Sequence, residues 1–379
     1  MKAASLMIEA IEVIRFNIPL TEPFVISNDS IAVADNVLVR IITRSGLEGQ
    51  GECSPFPTIL GETQDSCFAV AQKIAGRLIG QNALSMEACS RIIQTTIAGN
   101  ACIKSAFDMA LWDIAGKHAD LPLYVLLGGK LDKPLHTDMT IGIQTPEKMA
   151  AAAEKYKAQG FPYIKVKLGT QPSQDLIRME AIREATGPDF PLRIDANQGW
   201  SLADAKTALH LLAKHNIAYC EEPVSKQYLL DLPKLRRESP IPLMADESLF
   251  DAFDALRLIR LEAVDFFNIK LAKSGGIYGA LKIAAVAEAA GVSCQVGCFS
   301  ESRLGLTALA HLALSRQVIT HYDMDSALMH AGDPVIGGIV YGPNGTIELP
   351  DAPGLGAHID PLFLQEGEGK VITGSSKYP

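Results

Sequence analysis

The sequence predicts an α/β protein, in which a (β/α)8-type TIM barrel follows a smaller α+β domain. Eight short strand-like runs alternate with helical patterns over about 200 residues, which is typical of βα units. A charged residue ends nearly every one of these runs, and successive charges lie about one βα unit apart. The 379 residues suit one large or two moderate domains. An open, doubly wound sheet is the structural alternative, since the missing glycine-rich phosphate motif argues only against its dinucleotide-binding form.

An α+β domain is predicted over residues 1–130, because strand-like runs come first and helical stretches follow. Residues 8–20 alternate between apolar and polar side chains, and 36–43 form a second strand-like run. Three helical stretches come next, of which 101–118 has the clearest apolar spacing. The glycine- and proline-containing segment 127–134 is the expected boundary.

Residues 131–345 contain the alternating pattern of the predicted barrel. Amphipathic helices such as 202–215 and 277–290 separate the strands. The predicted strands are 137–143, 163–168, 192–195, 218–221, 243–246, 266–271, 293–297 and 321–325.

The composition excludes several functional classes. A net charge of -9 and a pI near 5.4 disfavour a nucleic-acid-binding protein, which needs a basic surface. We expect no signal peptide and no membrane span, because no uncharged apolar stretch of about 18 residues occurs. The seven scattered cysteines form no CxxC pair and predict a reduced, cytoplasmic protein. A homo-oligomer is compatible with these features.

The charged residues at the strand ends are the strongest functional signal. In a (β/α)8 barrel, the C-terminal ends of the strands build the active site. Single charges there are common, but one on almost every strand is not. The main positions are Lys167, Asp195, Glu221, Asp246, Lys270 and Asp323.

Three neighbouring strands, the third to the fifth, each end in a carboxylate: Asp195, Glu221 and Asp246. Carboxylates that point into one space repel one another unless a cation holds them together. Oxygen ligands favour a hard divalent ion, so the sequence predicts a Mg²⁺ site.

Lys167 and Lys270 belong to the second and sixth strands, which lie opposite each other in an eight-stranded ring. Asp323 and Asp325 lie on the eighth strand, opposite the fourth. A substrate whose anionic end binds the metal therefore reaches two carboxylates at its other end. Two opposed lysines beside a metal-bound carboxylate predict removal of an α-proton from one face and its return on the other, through an enediolate. We expect the metal, the other lysine and burial to lower the pKa of the lysine that acts as base.

Other interpretations of these residues remain open. Lys165 and Lys167 are also typical of an exposed edge strand, and Asp195 of a turn or a helix cap. Asp323 and Asp325 could form internal ion pairs instead of facing a ligand.

The residues beside the main candidates have alternatives of their own. Cys298 and Phe299 follow the seventh strand and either line the pocket or pack within the loop. Glu222 and Glu247 adjoin the predicted ligands, but strand alternation turns them away, so we expect them to support the site. His330 lacks a metal-binding spacing and is interpreted as structural.

Nearly the whole chain resembles the enolase superfamily, in particular its muconate-lactonizing-enzyme subgroup. The resemblance implies a modified (β/α)8-type barrel over 131–345, a capping domain over 1–130 that lies on the active site as a lid, and a segment 346–379 that packs back on the capping domain. The matching motifs are KVK at 165–167, RIDANQGW at 193–200, EEP at 221–223, ADES at 245–248 and NIKLAKSGG at 268–276.

The motif DMD at 323–325 is similar to the DxD signature of the dipeptide epimerases in this subgroup. The resemblance implies that both aspartates bind the ammonium of a dipeptide whose C-terminal residue is inverted. It also implies that Lys165 stabilises the enolate while Lys167 and Lys270 transfer protons, and that Mg²⁺ is the cofactor. The implied metal ligands are Asp195, Glu221 and Asp246.

The predicted loop at 21–30 departs from the pattern of Ala-Glu epimerases, which are expected to carry a basic residue there. This stretch contains no Lys or Arg, whereas Phe24 and Ile26 are apolar and Asp29 is acidic. We therefore expect dipeptides with small or hydrophobic side chains, and cationic ones as a weaker alternative.

The sequence leaves three hypotheses. The first is a Mg²⁺-dependent dipeptide epimerase acting on a small-molecule substrate. The second is a cycloisomerase or o-succinylbenzoate synthase of the same subgroup, and the third is a non-catalytic Mg²⁺-dependent binder.

Overall fold

The computed structural model describes residues 6–374, apart from the side chains of residues 365 and 366. The helices are α1 (Pro57–Leu60), α2 (Gln64–Leu78), α3 (Met86–Thr96), α4 (Ala101–Ala119), α5 (Leu123–Leu126), α6 (Pro146–Ala158), α7 (Pro172–Thr186), α8 (Leu202–Leu212), α9 (Leu232–Glu238), α10 (Ala252–Leu261), α11 (Leu271–Ser274), α12 (Ile277–Ala290) and α13 (Arg303–Ser315). The strands are β1 (Ile8–Val25), β2 (Ser30–Thr43), β3 (Glu48–Cys53), β4 (Met139–Ile141), β5 (Ile164–Lys167), β6 (Leu192–Asp195), β7 (Ile217–Glu221), β8 (Leu243–Ala245), β9 (Phe266–Ile269), β10 (Cys294–Val296), β11 (Ile319–Tyr322), β12 (Val335–Gly337), β13 (Val340–Tyr341), β14 (Ile347–Glu348), β15 (Ala357–Ile359) and β16 (Gly369–Thr373).

The N-terminal strands form an antiparallel sheet in the order β16-β1-β2-β3, packed against α2 and α4. Alternate apolar residues of the strands, such as Ile11 and Val39, are fully buried against the helices. Gly49 and Gly51 let α4 approach β3, because a Cβ at either position would lie about 2 Å from a carbonyl oxygen of the helix. The late strand β16 pairs with β1, so the end of the described chain contacts the N-terminal sheet.

The predicted loop at 21–30 is mostly strand, which corrects the sequence-based assignment. β1 continues to Val25 through an irregularity in its pairing between Pro19 and Phe24. Only residues 26–29 lie outside the two paired strands. They form the turn of the hairpin, in which Ile26 N donates a hydrogen bond to Asp29 O at 3.0 Å. The extension forms because the apolar residues on both sides of the turn pair with one another, as Phe24 does with Ile31.

The eight strands β4 to β11 lie side by side in chain order, and each neighbouring pair is parallel. The predicted barrel fold is confirmed, since a doubly wound sheet reverses its strand order. The first and last strands of this order, β4 and β11, also come close together. Met324 N donates to Thr137 Oγ1 (2.9 Å), and Thr140 N donates to Asp325 (2.7 Å).

Buried carboxylates of the N-terminal domain fasten it to the barrel. Glu52 on β3 accepts hydrogen bonds from Ser302 N (2.8 Å) and Gly305 N (3.0 Å) at the start of α13. Asp108 on α4 accepts from Tyr278 N (3.1 Å) in the first turn of α12. Both carboxylates thus satisfy backbone donors that a helix start leaves unpaired. No helix within residues 6–374 is long and apolar enough to cross a membrane.

Candidate active site

Three carboxylates meet at the C-terminal end of the barrel. Asp195 ends β6, Glu221 ends β7 and Asp246 directly follows β8. All three are fully buried, and one oxygen of each lies within 4.8 Å of those of the other two. We call these residues the carboxylate triad.

Neighbouring groups orient the triad. Asn197 N donates to Asp195 Oδ1 at 2.8 Å, and Asn268 Nδ2 donates to Glu221 Oε1 at 2.7 Å. Both oxygens of Asp246 are buried and contact lysine ammonium groups, Lys270 at Oδ2 and Lys273 at Oδ1. Each carboxylate oxygen has a second lone pair, so this dry cluster of hard oxygen donors fits a divalent cation such as Mg²⁺.

Lys165 is fully buried among the carboxylates. Its Nζ lies 2.9 Å from Glu221 Oε2 and 3.2 Å from Asp195 Oδ2, and it donates to Asp323 Oδ2 at 2.8 Å. An exposed edge strand is thereby excluded for this residue, because β5 lies between β4 and β6.

Lys167 and Lys270 contact different members of the triad. Lys167 Nζ lies 2.6 Å from Asp195 Oδ2, whereas Lys270 Nζ lies 3.0 Å from Asp246 Oδ2. Lys270 also lies 4.4 Å from the centre of the Phe299 ring. Their elements, β5 and the end of β9, are four strands apart in the eight-stranded order, so the two lysines approach the triad from opposite sides.

Carboxylates dominate the electrostatics around the lysines. Burial lowers the pKa of Lys270, but Asp246 and Glu221 outweigh it, so the pKa lies above its ordinary value. The pKa of Lys165 is raised in the same way, mainly by Asp323 and Glu221. A cation bound by the triad opposes both shifts, and the lowered pKa of the catalytic base, which was expected with Mg²⁺ bound, stays a prediction.

The pKa values of two triad carboxylates, Glu221 and Asp195, are shifted in opposite directions. Burial and the charge of Asp195 raise the pKa of Glu221 to about 7, against the effect of Lys165. For Asp195, burial would also raise the pKa, but Lys167 and Lys165 hold it below its ordinary value.

A small cavity of ≈ 40 Å³ adjoins the three lysines. Phe24, Cys298 and Phe299 line it, as the sequence predicts, and so does His330, which was interpreted as structural. Ile26 packs elsewhere, in a small apolar cluster with Phe56 and Ile59.

A larger cleft of ≈ 510 Å³ adjoins the small cavity. The two spaces share Phe24, Thr140 and Met329 as lining residues. The hairpin end that carries Phe24 therefore borders both the cavity beside the lysines and the open cleft.

Asp323 and Asp325 both line the small cavity. Asp323 also forms an ion pair with Lys165, so the alternative interpretation of Asp323 as part of an internal ion pair is partly correct. Asp325 accepts from Thr140 N at 2.7 Å and has no ion-pair partner within the part of the chain that the structure describes. Burial and the charge of Asp323 raise the pKa of Asp325 to about 6.

Lys273 supports the site but was not predicted from sequence. It is fully buried, and its Nζ contacts Asp246 and lies 3.1 Å from Asn268 O. Glu222, which was expected to support the site, accepts from Asp246 N at 2.8 Å and so fixes the turn after β8. Lys273 lies one helical turn after Lys270, and this spacing is the signal that could have identified it.

Comparison with known proteins identifies the family. Residues 10–128 match the model of the mandelate racemase / muconate lactonizing enzyme N-terminal domain, and residues 148–362 match the enolase C-terminal domain-like model. The chain belongs to the enolase superfamily. The predicted resemblance is thereby confirmed.

Two similar proteins and one solved structure illustrate the relationship. The D-Ala-D/L-Ala epimerase of Cytophaga hutchinsonii is 51% identical over 95% of this chain and 98% of its own. The hydrophobic dipeptide epimerase of Enterococcus faecalis is 40% identical over 92% of this chain and 99% of its own. A crystal structure of the dipeptide epimerase from C. hutchinsonii, with Mg and D-Ala-L-Val, superposes with a TM-score of 0.96 at 50% identity and covers 97% of this chain and 100% of that one.

Proposed function

We propose that this protein is a Mg²⁺-dependent dipeptide epimerase that inverts the α-carbon of the C-terminal residue. The observation that carries the proposal is that Lys167 and Lys270 line one small cavity while contacting different members of the triad. A group held between them meets a proton-transferring side chain on each face. The similar epimerases, and the Mg found in one of their complexes with a dipeptide, support both the activity and the cofactor.

The triad would hold Mg²⁺ through Asp195, Glu221 and Asp246. The ion, when bound, supplies positive charge that stabilises the negative charge developing on the substrate carboxylate. The chain itself positions the proton donors and acceptors. Lys165, fixed by Glu221 and Asp323, presents an ammonium that stabilises the same negative charge.

The two remaining lysines move the proton. One takes the α-proton of the C-terminal residue from one face, and the other, as an ammonium, returns a proton to the opposite face. Burial keeps both Nζ atoms away from bulk water, so each transfer stays within the site.

Asp323 and Asp325 give the site its preference for an ammonium at the far end of the substrate. Within the described residues, Asp325 accepts hydrogen bonds from two neutral donors, Thr140 N at 2.7 Å and Cys298 Sγ at 4.0 Å, and therefore keeps charge available for a ligand. A cycloisomerase or o-succinylbenzoate synthase substrate carries no ammonium and gives these aspartates no function.

We also propose that the substrate side chain next to the lysines is small or hydrophobic. Apart from the three lysines, the described residues that line the cavity include no Lys or Arg, and Phe24, Ile31 and Phe299 give it apolar walls. A glutamate side chain there lacks a cationic partner and loses its hydration.

Deuterium incorporation tests the activity and this preference together. The protein is incubated with Mg²⁺ in deuterated water, and mass spectrometry follows L-Ala-L-Ala, L-Ala-L-Val, L-Ala-L-Phe and L-Ala-L-Glu. We expect exchange at the C-terminal α-carbon of the apolar dipeptides, at least about tenfold faster than for Ala-Glu. Faster turnover of Ala-Glu contradicts the preference. If none of the dipeptides exchanges its α-proton, the proposed activity is contradicted and the non-catalytic Mg²⁺-dependent binder is favoured.

A change at Asp325 tests ammonium recognition. Asp325→Asn should lower kcat/KM for dipeptides by about 10- to 100-fold, as expected for loss of a charged hydrogen bond. Asp325 is a cleaner target than Asp323, whose loss also unpairs Lys165. The matched control is an N-acetylated dipeptide, which lacks the ammonium and should respond little to the change. Equal losses for both substrates would assign Asp325 a structural function.

We further propose a cytoplasmic location, which the seven free cysteines support.

A further inference from the structure

Three cysteines meet in the core of the N-terminal domain, far along the chain from the barrel site. Cys53 ends β3, Cys67 lies in α2 and Cys102 lies in the first turn of α4. All three are free thiols with no exposed surface, and their Sγ atoms lie within 4.8 Å of one another. Because they belong to three separate elements, tertiary packing alone brings them together.

A buried carboxylate adjoins this cysteine cluster. Glu62 Oε2 accepts a hydrogen bond from Cys67 Sγ at 3.5 Å. Its two oxygens also accept from Cys102 N (3.0 Å) and Ile103 N (3.3 Å) at the start of α4. The carboxylate is therefore held in place beside the sulfurs, and the helix start stabilises negative charge there.

We propose that Cys53, Cys67 and Cys102, with Glu62 as fourth ligand, form a structural site for a thiophilic d¹⁰ cation, Zn²⁺. Zinc in structural sites takes four ligands in a tetrahedron with Zn–S bonds of about 2.3 Å, which separates the sulfurs by about 3.8 Å. The three sulfurs reach this spacing by shifts of an ångström or less, and Glu62, which contacts Cys67, must turn toward the other two to complete the tetrahedron. Each ligating thiol gives its proton to solvent. The cation offsets two of the resulting negative charges, and the backbone N–H groups at the start of α4 stabilise the charge that remains.

Apolar packing of cysteine accounts poorly for this arrangement. Cys89 belongs to the same core, lies outside the cluster and donates only to Asn82 O at 3.4 Å, as expected of a small core side chain. The other three cysteines instead surround one point and bring an acidic group into a dry core. The sulfur-rich set also differs in chemistry from the all-oxygen triad, so the two sites select soft and hard cations respectively.

Cobalt substitution tests the proposal on the full-length protein. The protein is freed of metal with a chelator, supplied with excess Mg²⁺ to fill the triad, and titrated with Co²⁺. We expect one equivalent of Co²⁺ to produce a sulfur-to-cobalt charge-transfer band and intense tetrahedral d–d bands, all removed by Zn²⁺. Cys67→Ser should lose most of the charge-transfer intensity, and Glu62→Gln should keep it while altering the d–d bands. Cys89→Ser is the matched control and should behave like the unchanged protein.

The unchanged protein decides the question even if a variant fails to fold. A Co²⁺ spectrum without a sulfur charge-transfer band would overturn the proposal, as would a band that persists at full strength in folded Cys67→Ser. Melting temperature measured with and without Zn²⁺ gives a second readout, and it should rise with Zn²⁺ in the unchanged protein and in Cys89→Ser but not in Cys67→Ser.

Discussion

The protein buries carboxylates in two regions and gives them different partners. In the triad, Asp195 faces Lys167, and the two oxygens of Asp246 face Lys270 and Lys273. At the contact between the domains, Glu52 and Asp108 accept hydrogen bonds from the backbone at helix starts. Lysines can exchange protons, whereas backbone amides cannot. The partner, rather than the burial, therefore separates a reactive carboxylate from a structural one.

Metal removal should have the largest effect, and it should affect only the triad. We expect a chelator to slow α-proton exchange by more than about a thousandfold for both epimers, with recovery on adding Mg²⁺, because the developing negative charge loses its main partner. Asp246→Asn should cause the same loss of α-proton exchange, and added Mg²⁺ should not restore it. Glu52→Gln provides the comparison from the other region, and its exchange should keep an unchanged dependence on Mg²⁺ concentration. Exchange that resists chelation would contradict the function given to the triad.

Lys167 and Lys270 should each be required mainly for proton exchange from one epimer of the substrate. We expect Lys167→Ala to lower exchange from one epimer by about 100- to 10,000-fold and to spare the other far more, because each lysine serves one face. Lys270→Ala should show the opposite preference. Exchange is measured on each pure epimer in deuterated water.

Lys165 provides the internal control for that experiment. Lys165→Ala should slow both epimers alike, since its ammonium stabilises charge without transferring the proton. Equal losses from both epimers in Lys167→Ala would contradict the two-base assignment.

The smallest effect should come from the contact between the domains and should concern stability alone. Burial raises the pKa of Asp108 to about 7, although hydrogen bonds from the start of α12 oppose the shift. In the unfolded chain Asp108 loses its proton near pH 4, so the folded form binds more protons between about pH 4 and 7. The free energy of unfolding should therefore fall as the pH rises through this range, by at most about 1.4 kcal/mol per unit from this group.

Urea unfolding at a series of pH values measures that slope. Asp108→Asn keeps an acceptor for Tyr278 N but cannot titrate, so its slope should be shallower by the contribution of one proton. An unchanged slope would show that Asp108 is ionised throughout the range.

Local patterns in the sequence were sufficient to predict the barrel and the residues around its centre. Strand alternation and the spacing of βα units locate Lys167, Asp195 and Glu221 at equivalent strand ends, and the parallel order of the strands then brings them together. The boundaries were less accurate, since Lys270 lies within the predicted strand 266–271 but follows β9 in the structure and precedes the short helix α11.

Contacts between distant parts of the chain could not be predicted in this way. Glu52 pairs with Ser302, and Cys53 meets Cys102, only because two sheets and several helices pack together. The same holds for the pKa of Lys270, which depends on how many carboxylates surround it. Ile26 was assigned to the pocket from its apolar character and its place in the segment 21–30, and packing decides that it lies in an apolar cluster with Phe56 and Ile59.

The position of the cavity beside the lysines has a consequence for how substrates reach them. The cavity and the adjoining cleft are both lined by Phe24, Thr140 and Met329, so the end of the β1–β2 hairpin borders both spaces. We therefore expect substitutions at this end of the hairpin to change the rates of substrate binding and product release more than the proton-transfer step.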